Sequence, residues 1–385
     1  MEYFLNEQQK AIKRLARTIA EEKILPVRAG LDEREEFPWA IMKDLADAGM
    51  FGVFIPEEYG GVGEGCLELC LVVEELSRVC SGVAISFAAS ALGSFPLTMY
   101  GMGEQKQKYL PDIARGKRLA AFALTEATAG SDAGAIKTTA RRVKEGYILN
   151  GTKQFITNGG EAEIYTVIAL TSKEKGARGA SAFLVEKDTP GFTFGKKEKK
   201  MGLRASATRE LVFRDCLVPG ENIIGREGMG FIMTMRVLDS SRPGIGAQAV
   251  GLAQGALEAA VDYAQQRVQF EHPIISLQAV QHMLADMATQ VEAARLLVYA
   301  AARTIDSGAR SFTEESAMAK VFASDTAMRV TTDAVQIFGG AGYMRDYPIE
   351  KMMRDAKITQ IYEGTNQVLR NAIASELRKR NARRE

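Results

Sequence analysis

Near the C-terminal end of the chain runs Arg354-Asp355-Ala356-Lys357-Ile358-Thr359-Gln360-Ile361-Tyr362-Glu363-Gly364-Thr365-Asn366-Gln367. Gly364 permits close approach of a ligand and unusual backbone angles beside Glu363. A carboxylate in an apolar pocket has its pKa raised by desolvation, which makes it a usable general base. The chain has 2 histidines, His272 and His282, so a carboxylate is the natural candidate for proton transfer. Surface exposure or helix capping is the competing reading of Glu363. Three further clusters carry glycines, hydroxyls or an aromatic plane: Leu124–Asp132, Phe155–Gly160 and Gln336–Gly342. Each fits either a ligand-contacting loop or an ordinary turn. Cys66 and Cys70 at i, i+4, with Cys80 nearby, read as buried free thiols rather than a metal site, since no fitting fourth ligand follows.

These groups must be positioned by helices and strands. Residues 1–119 read as helical: Gln8–Ile24 has apolar residues at helical spacing, and Trp39–Met50, two helices within Gly65–Tyr100, and Glu104–Arg115 follow. The texture changes at residues 120–228, where short apolar runs alternate with Gly, Pro and Lys clusters, as in an antiparallel β domain. The run Lys196–Lys200 within it reads as a solvated loop. Residues 229–385 return to long helices. Val280, Leu284, Met287, Val291, Ala294, Val298, Ala301 and Ile305 form an apolar seam suited to an antiparallel bundle. Ala247, Gly251, Gly255 and Ala259 make a small-residue stripe for tight helix packing or a planar ligand. Arg378, Lys379, Arg380, Arg383 and Arg384 form a basic tail. The chain is thus an α+β multidomain protein.

Composition narrows the function. At 385 residues the chain has room for two or three domains. A net charge of +1 gives no bulk drive toward nucleic acid or anionic membrane. Four cysteines point to a reducing compartment, and no targeting segment is visible, so a cytoplasmic, bacterial or archaeal type of protein is expected. The uncharged stretch Val79–Gly103 contains serines, Pro96 and glycines, and reads as a buried helix rather than a membrane span. A strand–GxGxxG–helix unit and a Walker A loop are both missing, so a nucleotide cofactor must be held another way.

Taken together, Thr125–Asp132, Phe155–Gly160, Gln266–Phe270, Gln336–Gly340 and Arg354–Thr365 resemble the acyl-CoA dehydrogenase family over essentially the whole chain. The resemblance implies an N-terminal helical domain, a central antiparallel β-barrel or sandwich domain and a C-terminal four-helix bundle, in a homotetramer. It implies tightly bound FAD. Phe122, Leu124, Thr125, Gly130, Ser131, Phe155 and Thr157 would surround the flavin and its phosphates, with Thr157 near N5. Arg267, Phe270, Leu277, Gln278, Gln336, Gly339 and Gly340 would reach the ADP half of a neighbouring subunit's FAD, and Thr365 and Gln367 would contact the cofactor from the C-terminal side. Leu92, Ser131, Asp239, Arg242, Tyr362 and Gly364 would line the acyl-CoA site. The implied reaction is α,β-dehydrogenation in fatty or carboxylic acid catabolism. Glu363 removes the Cα proton, the Cβ hydride passes to flavin N5, and an electron-transferring flavoprotein accepts the electrons. The Glu363 N–H and a ribityl hydroxyl would polarise the thioester carbonyl.

Some members carry the base on the helix before Pro243, where this chain has Ser241, which cannot serve. Two departures bear on the cofactor. Phe270-Glu271-His272-Pro273 lacks the usual glycine, which puts the loop's shape in doubt, and Thr125-Glu126-Ala127 lacks the usual proline, which gives up loop stiffness. Ser86, Ser90 and Ser94 share a helical face with alanines nearby, hinting at room for a medium, branched or ring-bearing acyl group. The uncharged Val79–Gly103 stretch disfavours a dicarboxylic acyl group. Alternatives on the same scaffold are an enoyl-CoA reductase, an acyl-CoA oxidase, or a flavin-loaded binding protein without catalysis. The net charge and the intact Tyr362–Thr365 argue against the last.

Overall fold

The computed structural model describes residues 3–63 and 65–382, so Arg383 and Arg384 of the basic tail lie outside it. The N-terminal part comprises α1 (Glu7–Ile19, continued by a π-turn over Ala20–Ile24), α2 (Arg28–Glu33), α3 (Trp39–Asp47), α4 (Cys66–Val79), α5 (Ser81–Tyr100) and α6 (Gly103–Ala114). Asn6 starts α1 with a capping box: its side chain accepts from the Gln9 N–H at 2.7 Å while Gln9 reaches back to the Asn6 N–H at 3.0 Å. α5 is the one described helix long and apolar enough to cross a membrane, and 72% of its apolar window is buried inside the protein. It runs unbroken through Pro96 because neighbours pack against it on most sides.

The strands are β1 (Ala120–Ala123), β2 (Thr139–Val143), β3 (Gly146–Thr157), β4 (Ile164–Leu170), β5 (Ala180–Glu186), β6 (Phe192–Lys197), β7 (Thr208–Pro219) and β8 (Ile223–Ile224). They form one sheet in the order β6-β7-β3-β2-β4-β5-β8, with β1 against β4. Most pairings are antiparallel, but β1 runs parallel to β4, and β2 touches β4 in parallel at Thr139–Leu170. The sheet is therefore mixed. The long connection from β1 to β4 gives the chain room to return in the same direction, which a tight hairpin forbids. Lys196 and Lys197 end β6, and the Lys200 ammonium folds back to donate to the Ser206 carbonyl at 2.6 Å, so the lysine run is only partly a solvated loop.

The C-terminal part contains α7 (Gly230–Gln266), the short hairpin strands β9 (Val268–Gln269) and β10 (His272–Pro273), α8 (Gln278–Asp306), α9 (Thr313–Phe338), α10 (Ile349–Thr359) and α11 (Asn366–Ala382). α7 continues through Pro243 rather than beginning anew after it. Burial on both sides of the proline offsets the ~3 kcal/mol such a residue costs inside a helix. Along the predicted seam of α8, Leu284, Met287, Val291, Ala294, Val298 and Ala301 are buried. The small-residue stripe serves helix packing. A Cβ at Gly251 would lie 2.0 Å from the Glu74 carbonyl oxygen, and one at Gly255 would lie 2.1 Å from that of Arg78, both on α4. The cysteines are free thiols, and the described residues contain no group of metal-ligating side chains.

Candidate active site

α10 ends at Thr359 and α11 begins at Asn366, and the link between them turns sharply. Glu363 sits at φ 53° and Gly364 at φ 95°, two successive left-handed residues. This turn lies against α7 and α9. The Ser241 hydroxyl donates to Glu363 Oε2 at 2.6 Å, and Arg242 Nε donates to the Glu363 carbonyl at 3.3 Å. Arg242 is ion-paired with Asp239, whose other oxygen accepts from the Thr313 hydroxyl at 2.6 Å. Glu363 lies deep in the protein yet keeps part of its surface open to a cavity. Burial pushes its carboxyl above the ordinary carboxylate range, while the Ser241 hydroxyl, Arg242 and Lys320 pull it partway back. No protein group among the described residues accepts from the Glu363 backbone N–H.

The cavity, about 250 Å³, gathers most of the residues expected around the flavin and acyl group: Phe122, Leu124, Thr125, Gly130, Ser131, Phe155 and Thr157 on the β side, Leu92 from α5, and Arg242, Tyr362, Glu363 and Gly364 from the helices. Asp239 stands behind Arg242 rather than on the wall. Arg267, Phe270, Gln278, Gln336, Gly339, Gly340 and Gln367 are exposed on the surface, outside the cavity, and Leu277 is half-buried beside them. Thr365 is also outside it, and its hydroxyl accepts from the Val368 N–H at 3.2 Å, capping α11.

Phe155 reaches the cavity through a β-bulge. Between Lys153–Leu211 and Ile156–Arg209, β3 has one residue more than β7, and Phe155 takes φ 58°. Its ring remains 59% exposed, an apolar plane that the protein itself does not cover. The facing loop is pinned by a buried ion pair. Lys153 Nζ lies 2.8 Å from Glu126 Oε1 and 2.9 Å from the Leu124 carbonyl. The same carboxylate accepts from the Lys137 and Thr138 N–H groups at 2.6 and 3.0 Å. Burial alone would raise the Glu126 carboxyl, but Lys153 and these donors hold it below its ordinary value. Glu126 and Ala129 also exchange backbone hydrogen bonds, so the turn holding Ala127 is closed without a proline. The Thr125, Ser131 and Thr157 hydroxyls have no protein partner among the described residues, and a Cβ at Gly130 would meet open space. Free hydroxyls, an uncovered aromatic ring and an open glycine fit a flat polar heterocycle such as the flavin of FAD.

Ser86, Ser90 and Ser94 do not face this cavity. The Ser86 and Ser94 hydroxyls donate to the Gly82 and Ala91 carbonyls at 3.0 and 2.8 Å, and Ser90 Oγ accepts from the Ala120 N–H at 3.4 Å. That face of α5 packs on the β domain: a Cβ at Gly93 would lie 2.5 Å from the Ala121 nitrogen. Ile85, Ala88, Leu92 and Phe95 instead line the cavity, so the wall is apolar and better filled than the serines suggest. Ile85 and Ile245 of this lining form a small apolar cluster with Leu203, and Tyr362 packs against it. Asp355 Oδ1 accepts from the Leu203 N–H at 2.6 Å, tying the β-domain loop to α10. Sequence reasoning missed Lys153, Gln248 and Lys320. Gln248 accepts from the Tyr362 hydroxyl and donates to Ser81 Oγ at 2.8 Å. The signal available for the lysines was a charge at an inward position, Lys153 within β3 and Lys320 among Ala317, Ala319 and Ala323.

Comparison with known proteins agrees with this geometry. Family models described as the N-terminal, middle and C-terminal domains of acyl-CoA dehydrogenase match residues 6–117, 121–216 and 228–377. An acryloyl-CoA reductase (NADH) of Anaerotignum propionicum is 48% identical, over 99% of this chain and 97% of that protein. The structure of butyryl-CoA dehydrogenase from Megasphaera elsdenii superposes with a TM-score of 0.95 at 46% identity, covering 98% of this chain and 100% of that one. A chain in a structure of the electron transferring flavoprotein of Acidaminococcus fermentans, concerned with flavin-based electron bifurcation, superposes with a TM-score of 0.96 at 51% identity, covering 98% and 99%. The chain belongs to the acyl-CoA dehydrogenase family of FAD-binding oxidoreductases that act on acyl-CoA.

Proposed function

We propose that the protein removes the α and β hydrogens of a short, unbranched acyl-CoA, with Glu363 as the base. The observation that carries this is that Glu363 lines the same cavity as Phe155, Thr125 and Thr157. Glu363 takes the Cα proton onto a carboxylate oxygen, and Ser241 orients that group by its 2.6 Å hydrogen bond. The uncommitted Glu363 N–H supplies one donor for the thioester oxygen as negative charge develops there, a kind of contact worth roughly 10²–10³ in rate. Thr125, Ser131, Phe155 and Thr157 would hold FAD, which would supply the acceptor for the hydride leaving Cβ. The product is the 2-enoyl-CoA. The apolar lining by Ile85, Ala88, Leu92 and Ile245 supports a short aliphatic group, as does likeness to a butyryl-CoA dehydrogenase.

The same reading has an electron-transferring flavoprotein as redox partner, supported by the Acidaminococcus neighbour. It has a homotetramer in which exposed Arg267, Phe270, Gln278, Gln336, Gly339 and Gly340 meet a neighbouring subunit's cofactor, and a reducing cytoplasm that suits four free thiols. One observation favours a second reading, operation as an enoyl-CoA reductase: the Anaerotignum relative bears that activity in its name. Anaerobic addition of butyryl-CoA to the purified protein tests the first reading. Bleaching of the flavin supports it, and a protein that takes up no FAD overturns it. Faster oxidation of NADH with crotonyl-CoA, in the presence of the flavoprotein partner, than reduction of that partner by butyryl-CoA would favour the second.

A further inference from the structure

Lys320 lies on α9 with 0% exposure. Burying an ammonium costs several kcal/mol unless hydrogen bonds or an opposite charge offset it. Its hydrogen bonds do not go to a carboxylate. Lys320 Nζ donates to the Gly364 carbonyl at 2.9 Å and to Asn366 Oδ1 at 3.0 Å, on either side of Thr365 and immediately after Glu363. Arg242 donates to the preceding carbonyl, that of Glu363, at 3.3 Å. Two cations from two helices thus hold two consecutive carbonyls, where the backbone takes two consecutive left-handed conformations. Asn366 is fixed in turn by Ser324 and Asp325, each 2.8 Å from its Nδ2.

We propose that Lys320 is a positioning residue for proton abstraction: its ammonium locks the Glu363–Gly364 turn and, with Arg242, favours the ionised carboxylate beneath the substrate. This rests on Glu363 being the base and adds the group that keeps it poised. An apolar side chain would fill the same space at lower electrostatic cost, so packing alone does not account for a lysine here. The groups that face Glu363 are Ser241 and the Arg242–Asp239 pair on α7, Lys320 on α9 and Tyr362 in the turn, while Asp325 on α9 faces Lys320 and Asp355 on α10 faces Tyr362. Among them only Lys320 and Arg242 are cations, and Arg242 is already paired with Asp239. Burial brings the Lys320 ammonium down to about 8, so the brace is charged at neutral pH and weakens above it.

Lys320→Met removes both the charge and the hydrogen bonds, whereas Lys320→Gln keeps a donor without the charge. The rate of flavin bleaching by butyryl-CoA is followed against pH in the FAD-loaded full chain. On the same proteins the Glu363 carboxyl band is titrated by infrared difference spectroscopy, with Glu363→Gln as blank. In both variants the acid limb and the infrared titration move up by about one pH unit, a tenfold change in the ionisation equilibrium. The plateau rate falls at least about tenfold in Lys320→Met and less in Lys320→Gln, which retains part of the brace, with KM changing less than kcat. Unmoved titrations in the folded variants, with only lowered thermal stability or FAD content, overturn the proposal. Lys320→Gln decides alone if Lys320→Met does not fold. A wild type that bleaches, with a Glu363→Gln that does not, keeps the base assignment standing whatever the Lys320 variants do.

Discussion

Among the described residues three turns place successive residues at positive φ, one of them at Tyr3–Phe4, and the other two are held in opposite ways. Glu363 and Gly364 stand at 53° and 95°, while Phe270 and Glu271 stand at 54° and 68°. The first turn is enclosed, and residues far away in sequence, Ser241, Arg242 and Lys320, hydrogen-bond its side chain and carbonyls. The second caps the β9–β10 hairpin, with Phe270 84% exposed and only the short ladder and the Ile274 N–H to Arg267 carbonyl bond behind it. A non-glycine residue in the left-handed region costs roughly 1–2 kcal/mol. Glycine fills one position of the first turn, whereas the second bears that cost twice. Strain at the first turn is matched by long-range contacts that aim a carboxylate. Strain at the second is local, at a surface proposed to meet another subunit. The doubt raised by the missing glycine is thereby answered in part: Glu271 adopts the conformation that a glycine would take more cheaply.

The largest effect separates the turns by chemistry. Glu363→Gln is expected to bind FAD and butyryl-CoA but to reduce flavin slower by several orders of magnitude, measured by anaerobic stopped flow. Full-rate reduction would remove function from the braced turn and with it the contrast. Next comes the wall facing that turn. Lys153→Met leaves the Glu126 carboxylate buried without its cation and should cost about 3–5 kcal/mol in denaturant unfolding, with loss of FAD on gel filtration. A cost below about 1 kcal/mol would mean that backbone donors alone hold the Thr125 loop.

Intermediate effects follow. Ile245→Ala should raise the ratio of hexanoyl-CoA to butyryl-CoA turnover several-fold, at about 0.8 kcal/mol per additional buried methylene. An unchanged ratio would show that other side chains set the depth. The folded Glu363 pKa is raised, so the fold prefers the protonated form. Wild-type stability contributed by that group is therefore full below the unfolded value, about 4.3, and is lost as pH rises through the raised folded value. Glu363→Gln lacks this loss, so its urea midpoint should gain on the wild type across that window and hold the gain above it. A gap independent of pH would contradict a buried, desolvated carboxyl. The smallest effect is at the exposed turn: Glu271→Gly should raise the melting temperature by an amount equivalent to no more than ~1 kcal/mol, since relief of strain is partly offset by a freer unfolded chain. A lowered melting temperature would mean that the Glu271 side chain makes a stabilising contact the single chain does not show.

Much of this was legible from residue patterns, for reasons that differ by element. The α8 seam announces itself because burial of one face imposes a period, and β4 and β5 because strands buried on both faces read as short continuous apolar runs. The helical ends and the middle sheet followed from such patterns, whereas a carboxylate beside a glycine only made Glu363 a candidate, and the family resemblance chose it over a surface or capping role. The parallel β1–β4 pairing was not legible, because strand direction depends on where a long connection returns. Nor was the serine face of α5 placed correctly: Ser86, Ser90 and Ser94 share a side by period alone, and period does not say whether that side meets a cavity or a sheet.

The linear order of residues determined which groups are able to do chemistry here: a glutamate with a glycine after it, hydroxyls and an aromatic ring in separate loops, and apolar stripes that force helices and strands to bury. The tertiary structure decided their company. It set Ser241, Arg242 and Lys320 around Glu363 and Lys153 against Glu126, and it turned Ile85 and Leu92 of α5, rather than the serines, toward the cavity. The reason is that desolvation and Coulomb energy depend on distances in space between residues far apart along the chain, and no local pattern encodes those distances.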